Sequence, residues 1–303
     1  MCEVNRARVV VLVATYNGEK YLESQLVSLA SQVNFKLDIL VNDDGSSDKT
    51  LEILNKFQKG GLIKKIFHTE NVGPSEAFKN LLSQCEGYDY IALCDQDDIW
   101  DRDKIERSIF SLGIEFPEMA VSSRRYIDSQ NSVIGSSAPL KKKLSLGNAL
   151  VENVAYGNTI VLNSQAAKLV LDNMPKGINI DHWIYLVMSS LGHIVHISSP
   201  LISYRLHESN HIGKSRFRSL SNFRANSMKV RIAAEALLTG YQKQLGPLEI
   251  DTLKTYLSIW RPSSPLKKLI LIGKSGLYRQ KSLETLFYKI ALFYIAILPS
   301  KAT

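Results

Sequence analysis

The strongest constraint on the fold is a rhythm near the start of the chain, where short apolar runs each end in a polar turn and give way to helical spacing. Residues 9–14 (VVVLVA) are apolar throughout and rich in β-branched side chains. Such a run is too short for a helix and suits a strand covered on both faces. It ends in Thr15-Tyr16-Asn17-Gly18, after which Tyr21, Leu22, Leu26, Leu29 and Ala30 recur on one helical face. Residues 36–42 give a second strand, closed by Asp43-Asp44-Gly45-Ser46-Ser47-Asp48, with Ser47 expected to cap a helix through Phe57. Residues 62–68 give a third, followed by Asn71-Val72-Gly73-Pro74-Ser75 and a helix over 76–84. Residues 90–94 are the fourth run, leading straight into Asp95-Gln96-Asp97-Asp98-Ile99-Trp100.

This alternation predicts an α/β fold, a doubly wound, mostly parallel sheet with helices on both faces. Ligands of such a sheet bind beyond the carboxyl ends of its strands. The turns at 15–17, 43–46 and 95–98 all fall at that edge and converge on one crevice.

The fourth turn carries the clearest chemistry. Carboxylates at positions i, i+2 and i+3 repel one another unless a positive group sits among them, and a hard divalent cation with oxygen ligands is the usual one. The plainer alternative is an acidic loop capping the next helix. Asp44 at the end of the second strand is acceptor-only when ionised, which suits the N3–H of uracil or thymine; as a plain turn residue it would bond its own backbone. Asp95 and Asp97 are spaced so that one can reach a sugar hydroxyl while the other holds a metal bridging a diphosphate.

Beyond the fourth turn the rhythm loosens. A helix is expected over 102–116, a strand over 119–123, a hairpin over 127–135 and a solvated basic turn at 141–143. A strand over 158–162, helices over 164–173 and 181–191, and two short strands over 193–197 and 201–205 follow. Everything past Gly213 reads as helical and basic. The 16 Lys+Arg of residues 214–303 face 4 Asp+Glu, whereas residues 1–213 hold 21 against 25. An acidic body with a basic tail suggests an anionic surface as the tail's partner, membrane lipid or nucleic acid. Residues 283–298 are apolar nearly all round except Lys289. At ~1.5 Å per residue they fall short of the ~30 Å hydrocarbon core, so they are expected to pack on the domain or to lie in a membrane interface, with the interface favoured.

With 45% hydrophobic and 22% charged residues the 303-residue chain is that of a globular protein. Its cysteines, Cys2, Cys85 and Cys94, form no CxxC pair, which excludes a zinc ribbon and fits a reducing, cytoplasmic setting.

Ala14-Thr15-Tyr16-Asn17-Gly18, Asp43-Asp44-Gly45-Ser46, Asn71-Val72-Gly73 and Asp95-Gln96-Asp97-Asp98 resemble, in order and spacing, the nucleotide-sugar half of the family 2 glycosyltransferases of GT-A fold. Asp-Gln-Asp-Asp-Ile-Trp and Tyr204-Arg205-Leu206-His207 with Asn210 and Gly213 resemble its rhamnosyltransferase-like branch of bacterial surface-polysaccharide enzymes. The resemblance implies a catalytic domain over 1–213, with a nucleotide-binding half (1–100) and an acceptor-binding half (101–213). Residues 214–303 would be a basic helical extension. It implies that Thr15, Tyr16, Asn17, Asp44, Gly73, Asp95 and Gln96 line the nucleotide-sugar site, with Tyr16 and Asp44 flanking the base and Asp95 by the ribose. Asp97, with His207 as a further metal or diphosphate contact, would hold Mg²⁺ or Mn²⁺. The matching position for an inverting general base is Asp181 in Ile180-Asp181-His182-Trp183; the plainer role there is a helix cap. His182, Trp183 and Trp100 are candidate acceptor or sugar contacts, although buried aromatics are more often core.

The expected donor is dTDP-L-rhamnose, with UDP-hexoses close behind. The expected acceptor is a lipid-linked saccharide at the cytoplasmic face of a bacterial inner membrane, on the way to O-antigen, capsule or another surface polysaccharide. A non-catalytic nucleotide-sugar-binding subunit is an alternative. Specific nucleic-acid binding is not expected, because aromatic platforms and recognised motifs are absent. His207-Glu208-Ser209-Asn210-His211 matches HExxH, a zinc hydrolase signature, but it follows a strand and meets Gly213, where the motif needs a regular helix. Gly-Lys-Ser at 213 and 273 lacks the upstream glycine of a phosphate loop.

Overall fold

The computed structural model describes residues 7–207 and 220–297. Cys2, Asn210, His211, Gly213 and the end of the last apolar segment lie outside them.

Three strand–helix units and a fourth strand open the fold: β1 (Val9–Thr15), α1 (Leu22–Ala30), β2 (Leu37–Asp43), α2 (Thr50–Lys59), β3 (Ile63–His68), α3 (Pro74–Leu82) and β4 (Tyr90–Cys94). β1 pairs parallel with β2 on one side and β4 on the other, and β2 with β3. Val9 to Val13 are almost completely buried, alternate residues facing two separate hydrophobic clusters. This is why the run shows no polar alternation: both faces are covered, and each buried Val or Leu contributes roughly 1.5–3 kcal/mol.

The second half turns the sheet antiparallel and closes it. After β5 (Ile99–Trp100) and α4 (Lys104–Phe110) come β6 (Glu118–Ile127), β7 (Val133–Ser136), α5 (Leu146–Ala149), a 3₁₀ turn (Gly157–Thr159), β8 (Ile160–Asn163), α6 (Ser164–Leu171), α7 (Ile180–Leu191) and β9 (His193–Arg205). The strand order is β3-β2-β1-β4-β8-β6-β9-β5, with β7 paired to β6. β8 inserts antiparallel between β4 and β6, and β9 runs parallel to β6. The carboxyl ends of β1, β2 and β4 therefore lie side by side, and the end of β9 reaches the turn that follows β4.

Three expectations need correction. The helix after the fourth turn spans only Lys104–Phe110. The two strands over 193–197 and 201–205 are one, because register shifts opposite Ser122–Arg124 absorb the Ser-Ser-Pro interruption. Ser47 does not cap α2; Asp48 Oδ1 instead accepts the Thr50 N–H at 2.9 Å.

The remaining described residues are helical: α8 (Leu220–Gly240), α9 (Pro247–Ile259), α10 (Pro265–Lys274) and α11 (Ser282–Ile297). They pack on the sheet domain. Trp183 meets Tyr241, Arg279 bridges to the buried Glu152 at 3.2 Å, and Gln280 Oε1 accepts the N–H groups of Lys141 and Lys142. The basic turn at 141–143 is thus held by the tail. α11 buries Tyr288, Leu292 and Ile295 but exposes Leu283, Leu286, Phe287, Ile290 and Tyr294. Among the described residues no helix is long and apolar enough to cross a membrane.

Candidate active site

The turn after β1 is fastened to the turns after β2 and β4. Asp43 accepts Thr15 Oγ1 at 2.9 Å and the Ser46 N–H at 3.0 Å. Asn17, at φ 48°, donates its N–H to Ser46 Oγ and accepts the Ser47 N–H. Gln96 closes on Tyr16 in both directions, its Oε1 accepting the Tyr16 N–H at 2.9 Å and its Nε2 donating to the Tyr16 carbonyl at 3.0 Å. Thr15 is buried, so its side chain and the Gln96 amide shape the edge rather than line it. Tyr16 is 46% exposed and presents its ring at the mouth.

Asp44 is buried at 4% exposure. Its Oδ1 accepts Thr69 Oγ1 and the Val72 N–H, and its Oδ2 accepts the Gly73 N–H at 2.7 Å. Gly73 holds φ 87°, a left-handed conformation that suits glycine, and this aims its N–H at Asp44. A carboxylate offers about four acceptor positions, so one on Oδ2 is not used among the described residues.

The acidic turn divides its carboxylates by burial. Asp98 is fully buried: Oδ2 accepts the Asn158 amide and Oδ1 the Arg205 N–H at 3.2 Å. Asp97 faces His207, whose Nε2 lies 2.8 Å from Oδ2. The His207 ring stands 5.3 Å from that of Tyr21. Asp95 faces inward. Burial, then the charges of Asp97 and Asp181, push its carboxyl well above the usual range, and Arg124 and Lys104 oppose that rise. Lys104 is fully buried over the Trp100 ring, donates to the Asn158 carbonyl at 2.7 Å and is pushed down to about 7 by burial. Arg205, 2% exposed, donates from Nε to the Asp97 carbonyl at 3.0 Å and from Nη1 to Asn131 Oδ1 at 2.6 Å.

Opposite this turn stands the first turn of α7. Asp181 is partly buried and accepts the His182 N–H at 2.7 Å. Burial raises its carboxyl, while His182, Asn153 and the Gly157 N–H pull it back. His182 is a support rather than an open acceptor contact: only its Nε2–H can meet the Ala149 carbonyl, at 2.7 Å, which fixes the tautomer. Two expectations are corrected here. Trp183 is fully buried, donating Nε1–H to the Val170 carbonyl, and Trp100 is 2% exposed beneath Lys104. Neither ring can stack on a sugar.

Asp97 and His207, a carboxylate and an imidazole 2.8 Å apart, are the residues that would hold a divalent cation, whose chemistry would be to offset negative charge on a bound diphosphate. Among the described residues no cluster of three His, Cys, Asp or Glu builds an all-protein site. Of the HExxH alternative only His207 is described; it follows β9 and faces Asp97, and residues 208–211 lie outside the described residues.

The sequence model of glycosyl transferase family 2 matches residues 10–164. The chain belongs to that family. It is a glycosyltransferase of GT-A fold. Among curated proteins it is 29% identical to the dTDP-rhamnosyl transferase RfbG of Shigella flexneri, over 82% of this chain and 93% of that one. It is 28% identical to the putative teichuronic acid biosynthesis glycosyltransferase TuaG of Bacillus subtilis, over 50% of this chain and 58% of that one. Among solved structures, S. aureus TarS 1-349 in complex with UDP-GlcNAc superposes with TM-score 0.60 at 19% identity, covering 88% of this chain and 80% of that one. The mannosyltransferase PcManGT of Pyrobaculum calidifontis in complex with GDP-Man and Mn²⁺ gives 0.51 at 17%, covering 98% and 88%. At these identities the structural likeness speaks for the fold.

Four residues that sequence reasoning missed support the site: Lys104, Arg124, Asn158 and Arg205. Only Arg205 sat in a motif already noted, and nothing local marked the other three.

Proposed function

We propose that the chain moves a sugar from a nucleoside-diphosphate donor to a saccharide acceptor with inversion, with dTDP-L-rhamnose as first donor and UDP-hexoses second. What supports this is the first turn of α7, where Asp181 packs beside Gly157 and lies near enough to Asp95 for its charge to act on that carboxyl. A base there stands on the acceptor side of a donor held by the turn after β4. Tyr16 and the spare Oδ2 position of Asp44 take the base, and Asp95 takes the ribose. Asp97 and His207 hold Mg²⁺ or Mn²⁺, which when bound offsets charge on the departing diphosphate. Asp181 accepts the proton of the acceptor hydroxyl, whose oxygen attacks the donor carbon from the face opposite the diphosphate. Similarity to RfbG supports the rhamnosyl donor.

The acceptor in this reading is lipid-linked and presented at an anionic membrane surface. α11 exposes Leu286 at 55% and Phe287 at 57%, α10, tied to it by Lys268 donating to the Ala296 carbonyl, exposes Leu266, Leu269 and Ile270, and Lys267, Lys274 and Lys281 stand near them in the sequence. Apolar side chains framed by lysines suit an interfacial helix pair. The surface-polysaccharide setting and the cytoplasmic face belong to the same proposal.

The test is thermal unfolding against a panel of dTDP- and UDP-sugars with Mn²⁺ or Mg²⁺, in which a bound donor raises the midpoint by mass action. The expected result is the largest shift with dTDP-L-rhamnose. A shift confined to UDP-hexoses moves the donor to the second choice, and no shift with any sugar nucleotide refutes the reading.

A further inference from the structure

The chain between α10 and α11 is tied down along most of its length. Residues 275–281 form a strap laid against α5 and the irregular segment that follows it. The Tyr278 N–H donates to the Gly147 carbonyl at 3.3 Å, and the Tyr278 carbonyl accepts the Asn148 amide at 3.0 Å. Glu152 takes the Gln280 N–H at 2.7 Å and Arg279 Nη2 at 3.2 Å, the two charged side chains being 8% and 7% exposed. Glu284 of α11 shares the same Arg279 nitrogen at 3.1 Å. A Cβ at Gly147 would fall 2.6 Å from the Gly276 carbonyl oxygen, so glycine is what lets the strap backbone sit this close to α5.

The same short segment holds the turn that carries Asp181. The Ala149 carbonyl accepts the His182 Nε2–H at 2.7 Å, and Asn148 Oδ1 accepts the Tyr185 hydroxyl at 2.7 Å. His182 in turn donates its backbone N–H to Asp181 Oδ1. Further along, a Cβ at Gly157 would lie 3.8 Å from the Asp181 Cβ. Asn148 and Tyr185 are fully buried, and Asn148 serves the strap through its amide and α7 through its oxygen.

α5 has four residues, and residues 151–156 contribute neither helix nor strand. A single helical turn does not hold itself, because nucleation costs more than one turn returns. Its position therefore depends on what it is fastened to. With the strap displaced, Glu152 would lose a buried cation and the Gln280 N–H, and a buried charge deprived of its partner is strongly unfavourable. The segment would have to move to reach water, and the Ala149 carbonyl and Gly157 would move with it.

We propose that Arg279 is a positioning residue for transfer: through Glu152 it fixes α5, and α5 fixes the first turn of α7 where Asp181 takes the acceptor proton. The basic tail then completes the transfer site. This rests on the base reading of Asp181 above.

The experiment compares Arg279→Gln, Arg279→Lys and Gly147→Ala with wild type, all as full chains; Gly147→Ala displaces the strap without altering a charge. Each is measured by hydrogen exchange, thermal midpoint and titration calorimetry of dTDP and UDP with Mn²⁺. Transfer is followed as release of dTDP or UDP from dTDP-L-rhamnose and UDP-hexoses in the presence of bacterial lipid-linked saccharides. Arg279→Gln and Gly147→Ala should exchange faster over 146–157 and 179–186, with 90–97 unchanged. Their kcat should fall about tenfold or more, since a displaced catalytic group can cost about 10²-fold. Nucleotide affinity and donor KM should stay within about twofold, and Arg279→Lys should recover part of kcat. Wild-type exchange over 179–186, or kcat and nucleotide affinity falling together, overturns the proposal and leaves the strap as packing. Asp181→Asn separates the two readings. If it loses transfer while Arg279→Gln keeps wild-type kcat, the strap alone is refuted. If it keeps transfer, or if wild type releases no nucleotide from any donor, the base reading fails and this one with it. Gly147→Ala carries the comparison if Arg279→Gln does not hold the fold.

Discussion

Asp98 offers a sharp test of how the acidic turn works, because two substitutions that both remove its charge should separate. Its two oxygens accept from the Asn158 amide and from the Arg205 N–H, with no surface exposed. Asp98→Ala leaves both donors buried and unpaired, at about 1–3 kcal/mol each, so roughly 2–6 kcal/mol in all. Asp98→Asn has a remedy that the structure supplies. Among the described residues Asn158 Oδ1 is buried without a partner. If the Asn158 amide turns over, the new amide donates to that oxygen and keeps its own oxygen on Arg205, so the number of buried groups without a partner does not rise. The predicted cost is under about 1 kcal/mol, with transfer activity largely kept. Urea unfolding of the two variants, with transfer measured on both, provides the comparison. If Asp98→Asn is as damaging as Asp98→Ala, Asp98 does more than hold the turn and the division of labour among the three carboxylates is wrong.

Asp181→Asn should leave nucleotide binding near wild type and remove transfer; residual transfer within about tenfold of wild type would take Asp181 out of the base role, since a general base contributes about 10²–10⁴-fold. Because burial raises the Asp181 carboxyl and the base must be ionised, kcat/KM should fall with decreasing pH along a limb above the ordinary aspartate range of about 3.9. A flat profile across that limb would contradict it. Replacing Leu286, Phe287 and Ile290 together by Ser should release the chain from vesicles containing anionic phosphatidylglycerol while leaving its unfolding midpoint nearly unchanged, as all three are exposed. Unaltered vesicle binding in a co-sedimentation assay would discard the α10–α11 face as the lipid contact.

The parallel half of the sheet was legible because its physics is local. A run such as residues 9–14 has one economical fate, and each polar turn marks where a strand leaves the core. The closing half was not. β9 reads as two strands because Ser198-Ser199-Pro200 looks like a break, and only pairing with β6, with its register shifts, makes it one. Trp100 and Trp183 failed as sugar platforms for a related reason: a tryptophan's identity says nothing about which side of a helix or turn faces solvent. His182 fared similarly, its ring being spent on a carbonyl that belongs to α5.

In the acidic turn the legible part was the carboxylates and the illegible part was what balances them. Lys104 reaches Asn158 across 54 positions, and Arg205 reaches Asp97 across 108; neither relation leaves a spacing to read. Yet their placement decides how the turn can act. Lys104, Arg205 and Arg124 are all at least nine-tenths buried, whereas Asp97 and His207 keep 18% and 15% of their side-chain surface. The cations therefore lie behind the carboxylates, fixing the turn from the protein side, and the crevice is left facing Asp97, His207 and the inner edge of Asp95. In the donor reading proposed above, a diphosphate approaching such a face would meet the charge of Asp97, which is why that reading pairs it with a divalent cation. The same burial that hid the supporting residues from the sequence thus orders the turn, with Lys104 and Arg205 behind it and Asp97 and His207 at its open side.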